Sequence, residues 1–114
     1  MKDSDIQRIK HIREYCVDIA DAIDVFGKEY QMFNENIHYL NSVSMSIMQI
    51  GELTGGLSVA FKSRHPMLWG PIKAMRNLFA HAYLSMNREV IWDTAVNDIP
   101  ELLKFCDNIL AEAI

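Results

Sequence analysis

A chain of 114 residues is long enough to close one hydrophobic core but not two, so a single domain over 1–114 is expected. Half of the residues are apolar and 23% are charged, as in an ordinary globular protein; no apolar run approaches the roughly 20 residues that cross a bilayer, and the charged amphipathic start is no signal peptide, which leaves a cytoplasmic protein with no membrane partner. The net charge of −4 argues against indiscriminate nucleic-acid binding, which needs a broadly basic surface.

In chain order, Ile6, Ile9, Ile12, Cys16, Ile19, Ile23 and Phe26 recur at steps of three or four, with charged residues between them. This predicts a long amphipathic helix from Ser4 to Phe26, capped by Ser4 or Asp3 and ended by Gly27. Residues 28–34 predict one or two helical turns that bring Tyr30 and Phe33 to the core. A second long helix is predicted from Glu35 to Thr54, with Ile37, Leu40, Ser44, Ile47, Met48 and Gly51 inward. Its small residues, Gly51 among them, would let another helix approach closely.

Gly55-Gly56 ends that helix, since glycine costs about 1 kcal/mol in a helix interior, and Ser58 caps a short turn through Lys62. Arg64-His65-Pro66 interrupts the chain before Pro71 opens a helix that turns Ile72, Met75, Phe79 and Ala82 inward. Asn87 is placed to cap a helix with Val90, Ile91, Ala95 and Val96. Asp98 and Glu101 have capping-box spacing, with Pro100 in the first turn of a last helix carrying Leu102, Leu103, Phe105, Cys106, Ile109 and Leu110. No strand-like alternation occurs. The predicted fold is an all-α bundle of four to five helices. Cys16 and Cys106 lie in apolar periodic segments and are expected as buried, reduced thiols.

Charge is unevenly distributed. Residues 53–88 contain Lys62, Arg64, Lys73, Arg76 and Arg88 and no acid, whereas the remainder holds six cations and fifteen acids. An acidic protein with one acid-free segment has a surface suited to an anion. No phosphate loop, nucleophile elbow or zinc-spaced cysteine pair is present. Glu35-Asn36-Ile37-His38 has the Glu-x-x-His spacing of di-iron bundles, but those need a second such pair, and none exists. No metal site and no cofactor are expected.

Within the basic segment, Arg76, His81 and Tyr83 are closely spaced. At 100° per residue Arg76 and Tyr83 share a face to within about 20°, whereas His81 is rotated about 140° from Arg76. One regular helix does not bring Arg76 and His81 to a common atom. Either the helix ends or bends near His81, or a second copy of the segment completes a site across a symmetric interface. The alternative is structural: Arg76 in a salt bridge, His81 favoured by a helix C-terminus, and Tyr83 packed on a neighbour.

Arg76-Asn77-x-x-x-His81-x-Tyr83 resembles the Arg-x4-His-x-Tyr motif of HepT-type HEPN proteins, toxins paired with a minimal nucleotidyltransferase (MNT) antitoxin. Ile50-Gly51-Glu52, the segment from Phe61 to Pro66, Trp69, Met75-Arg76-Asn77, Val90-Ile91-Trp92-Asp93-Thr94 and Asn97-Asp98-Ile99-Pro100 are similar to that family's sequence around the motif. The likeness spans residues 45–114, and the first helix by pattern. Ala74, where glycine is common, and the order Trp69-Gly70-Pro71 depart from it in packing and helix entry.

The resemblance implies a HEPN-like bundle and a metal-independent endoribonuclease of mRNA or tRNA, with a composite site in a homodimer. Arg76 would neutralise the scissile phosphate, and His81 would act as general base or acid. Asn77 would orient either, or is a surface polar residue. Tyr83 would accept AMP from the antitoxin, which would block RNA; otherwise its ring is simply packed. Glu52 would pair with a motif Arg or a Lys of the neighbouring helix, or is an ordinary surface carboxylate. Lys73, Arg64 and Arg88, with Lys62, would extend RNA binding or are solvated. The alternative function is a non-catalytic helical module that binds a nucleotidyltransferase or nucleotide; a purely structural helical dimer is weaker still.

Overall fold

The computed structural model describes residues 2–67, 69–82 and 87–113, with the side chains of residues 80–82 outside the description. All regular structure among the described residues is helical. The elements are α1 (Asp3–Phe26), α2 (Tyr30–Glu35), α3 (Ile37–Gly55), α4 (Val59–Arg64), α5 (Trp69–Ala82), α6 (Arg88–Asp93), a π-helical turn (Thr94–Asp98) and α7 (Ile99–Glu112). The four long helices, α1, α3, α5 and α7, form the bundle, and α2, α4 and α6 join them. The body is 18 Å thick along its shortest axis, about two helix layers. Each long helix therefore buries one stripe and leaves the opposite face to water.

α1 lies between α3 and α7, and α5 rests chiefly on α3. Ile9, Ile12, Cys16, Ile19 and Ala22 of α1 meet Leu40, Val43, Ile47 and Ile50 of α3 and Leu102, Cys106 and Ile109 of α7 in one buried cluster. Arg13 reaches from α1 to Asp107 on α7. Both cysteines are free and buried. Burial pushes the thiol of Cys106 up to about 12 and that of Cys16 higher still, so both stay protonated.

Two aromatic groups tie the short helices down. Tyr39 is fully buried and donates its hydroxyl proton to the Gly27 carbonyl at 2.9 Å; it packs with Phe26, Phe33 and Trp92. This fixes the turn after α1, where Gly27 takes φ +105°, a conformation side chains disfavour. At the other end Phe61, His65, Trp69 and Phe105 join α4, the start of α5 and α7.

Several sequence expectations need correction. α3 begins at Ile37 because the Asn36 side chain accepts from the backbone N–H groups of His38 and Tyr39. That register leaves Ile37 55% exposed and turns Tyr39 and Val43 inward. Neither Ser4 nor Asp3 caps α1; the capping position is Lys2, without a side-chain bond. Asp5 is 2% exposed and accepts from the Ser58 backbone N–H at 2.9 Å and its hydroxyl at 2.7 Å. Ser58 in turn caps α4 by accepting from the Phe61 N–H.

The capping box at Asp98 and Glu101 does not form. Asp98 has helical dihedrals and makes no capping bond, and the chain runs from α6 through the π turn into α7. Pro100 has no N–H to give to the turn before it and would crowd that turn's carbonyl, and the widened π turn accommodates both demands. Burial, followed by the nearby charges of Glu101 and Asp93, raises the pKa of the Asp98 carboxyl. Asn87 does cap α6, accepting from the Glu89 N–H at 2.8 Å. Of the apolar residues here, Ile91 and Ala95 are buried and Val90 is 43% exposed. No helix among the described residues is long and apolar enough to cross a membrane.

Candidate active site

Arg76 sits midway along α5, where the helix crosses α3 at Gly51. A Cβ built on Gly51 would lie 2.4 Å from the Cβ of Arg76 and 2.8 Å from its Cγ. Only glycine lets the two helices come this close. One residue further along α3, Glu52 Oε1 accepts from Arg76 Nε at 2.7 Å, while Arg76 Nη1 donates to Asn77 Oδ1 at 3.1 Å. Ile50-Gly51-Glu52 is thus a seat for one guanidinium, with Gly51 giving access and Glu52 orientation. Hydrogen bonding and charge from Glu52 raise the arginine's pKa above its ordinary value, so the cation is permanent. The Arg76 side chain remains 39% exposed and can still meet an anion.

α5 stays helical through Ala82, so His81 lies about 140° around the axis from Arg76. The described part of α5 is helical without a break from Arg76 to His81. The His81 side chain and the whole of Tyr83 lie outside the described residues.

Beside Arg76, an open cleft of about 510 Å³ is lined by Gly51, Glu52, Thr54, Gly55, Lys62, Trp69, Gly70, Lys73 and Arg76. Its charged lining is three cations and one carboxylate, and the carboxylate is engaged by Arg76. The structure therefore brings Lys73 and Lys62 to the arginine but separates the other two expected cations. Arg64 lines a different cavity with Lys2 and Asp5. Arg88 donates to the Asn34 carbonyl at 2.8 Å and to Asn34 Oδ1, latching α6 to α2. Among the described residues no three His, Cys, Asp or Glu side chains converge to hold a metal ion.

Comparison with known proteins places this arrangement in context. The family described as Ribonuclease HepT-like matches residues 6–109. The chain belongs to the HepT-like ribonuclease family. The match takes in the first helix, which resembled the family only by pattern. Among HepT-like relatives, a protein named as a probable ribonuclease HepT from Thermococcus cleftensis is 31% identical over 96 residues, covering 79% of this chain and 87% of the relative. A protein with a provisional RNase name from Caldanaerobacter subterraneus subsp. tengcongensis is 28% identical over 103 residues, 90% of each chain. A similarly named protein from Methanocaldococcus jannaschii is 27% identical over 109 residues, again 90% of each. No solved structure gives a significant match.

Trp69 was legible as a family residue but not as a lining of the cleft. Its position depends on α4 and α7, which hold its ring.

Proposed function

We propose that this HepT-like chain is a metal-independent endoribonuclease, the toxin of a toxin–antitoxin pair, and that its site is assembled from two copies in a homodimer. The observation that carries the reading is the seat built for Arg76: an arginine oriented by Glu52, still open to solvent, five residues before a histidine on the same helix. Arg76 neutralises the scissile phosphate with a planar cationic fork. One His81 takes the proton of the ribose 2′-OH, whose oxygen attacks phosphorus. The bond to the 5′-oxygen breaks, leaving a 2′,3′-cyclic phosphate, and the imidazolium so formed gives its proton to the departing oxygen. An unperturbed imidazole pKa near 6.5 suits either duty.

The 140° offset between Arg76 and His81 along α5 supports a site shared between two copies. It is also favoured by the edge position of that helix, which rests chiefly on α3 and leaves Asn77 and Leu78 exposed. Control belongs to Tyr83, which accepts AMP from an MNT-type nucleotidyltransferase antitoxin. It stands seven residues after Arg76, on nearly the same helical face if the turn continues. Phosphate and adenosine there would compete with RNA for the arginine.

The deciding experiment is cleavage of single-stranded RNA or tRNA by purified protein in excess chelator. Arg76→Ala and His81→Ala are each expected to abolish cleavage with helical content unchanged. Full cleavage by His81→Ala overturns the mechanism, and no cleavage by the unmodified protein favours the non-catalytic module.

A further inference from the structure

The cleft beside Arg76 is larger than the capture of one phosphate requires. Its volume of about 510 Å³ lies between the C-terminal turn of α3, α4 and the first half of α5. On the α3 side Gly51 and Gly55 contribute no side chains, and the Thr54 hydroxyl is turned away to the Gly51 carbonyl at 2.9 Å. Lys62 and Lys73 line it with Arg76, and neither lysine has an ion-pair partner among the described residues. Trp69 also lines it and cannot swing freely: its indole N–H donates to the His65 carbonyl at 2.9 Å, and its ring is held against Phe105 at 5.5 Å and Phe61 at 6.3 Å.

We infer that this cleft is a subsite for single-stranded RNA adjoining the scissile phosphate, with backbone phosphates on Lys62 and Lys73 and a base against Trp69. This rests on the ribonuclease reading above and adds the path of the strand. Unpaired cations beside a rigid aromatic are the combination that binds single strands without demanding a sequence, because every base has a π face. The cleft is open and continuous with Arg76, so it suits a chain that enters and leaves rather than an enclosed mononucleotide.

The test is titration of the intact protein with a fluorescent single-stranded RNA octamer carrying 2′-O-methyl groups, which cannot be cut. Lys62→Glu/Lys73→Glu is expected to weaken binding at least about tenfold and to lower the slope of log affinity against log salt by about 1.4, two single-strand phosphate contacts. Lys10→Glu/Lys104→Glu, with the same charge change at exposed positions on α1 and α7, is expected to bind as the unmodified protein does. Octamer binding should quench tryptophan fluorescence, and Trp69→Phe should remove that quenching; Trp92 remains among Phe33 and Tyr39. Equal losses in the two double variants overturn the subsite, as does an unchanged slope. Displacement of the octamer by AMP or ATP at equal affinity also overturns it, in favour of a mononucleotide pocket. Cleavage of unmodified RNA is a separate measurement, so the failure of the enzyme reading and of the subsite are distinguishable.

Discussion

At the scale of single residues, the chemistry depends on how one guanidinium is held. The Nε–H of Arg76 is used by Glu52, a bond only a guanidinium's fork geometry provides. Arg76→Lys keeps the charge but loses the orientation and the second donor to phosphate. RNA cleavage is expected to fall about 100-fold in kcat/KM, the scale seen when a donor to developing charge is removed. The melting temperature should hardly move, because an ion pair this open to water contributes little to stability. Activity near that of the unmodified protein would show that charge alone suffices. The family resemblance anticipated a pair between Glu52 and a motif Arg or Lys, and Gly51 was read as admitting a close helix; that Arg76 is the partner, 24 positions away, nothing local in the sequence marks. Asp5 has the same character on the stability side. Burial would raise the pKa of its carboxyl, but the two bonds from Ser58, helped by Lys2 and Arg8, outweigh that and lower it. A lowered folded-state pKa gives stability that is full above the unfolded value of 3.8 and is lost as pH falls through the folded one. Asp5→Asn is therefore expected to cost about 1–2 kcal/mol at neutral pH, with the difference closing below pH 3.8 in denaturant titrations. A pH-independent cost would assign the loss to packing instead.

At the scale of elements, the crossing of α3 and α5 positions the catalytic candidate. Gly51→Ala would set a methyl 2.4 Å from the Arg76 Cβ, an atom that cannot swing away by side-chain rotation, so the two helices must move apart. Overpacking of this kind costs about 1–3 kcal/mol, and an ångström of displacement at a reacting group costs about 100-fold in rate. Both losses are expected together in Gly51→Ala. Gly55→Ala, whose added Cβ meets nothing within 4 Å, should keep its stability. Equal behaviour of the two variants would show that the close crossing is not what seats Arg76. The helices themselves were legible wherever apolar residues kept the 3-and-4 rhythm over several turns, as in α1, α3 and α7. Gly27, Ser58 and Asn87 marked their boundaries by local chemistry. What could not be read were features settled by distant partners or by competition within a helix. Asp5 is buried because Ser58 is waiting 53 positions later. Ile37 is exposed because Asn36 captures the first amides. Asp98 and Glu101 spell a cap, but Pro100 is accommodated by a π turn inside a continuous helix, and no chain end remains there to cap.

At the scale of the whole molecule, an unbroken α5 leaves Arg76 and His81 on different sides of one axis, and a two-fold axis is the simplest operation that unites them. In a symmetric dimer each site would take its arginine from one copy and its histidine from the other. Arg76→Ala and His81→Ala proteins, each inactive alone, would then complement each other. A mixed dimer has one site with both defects and one with neither. Random assortment of equal amounts makes half the dimers mixed, so about one quarter of wild-type cleavage is expected after co-refolding. Sedimentation velocity must show the dimer in the same samples. A dimer that regains no cleavage would mean that each copy carries its own complete site. Recovery near one quarter would instead make dimerisation itself a condition for activity, with a rate per chain that falls when the protein is diluted below its dimer dissociation constant.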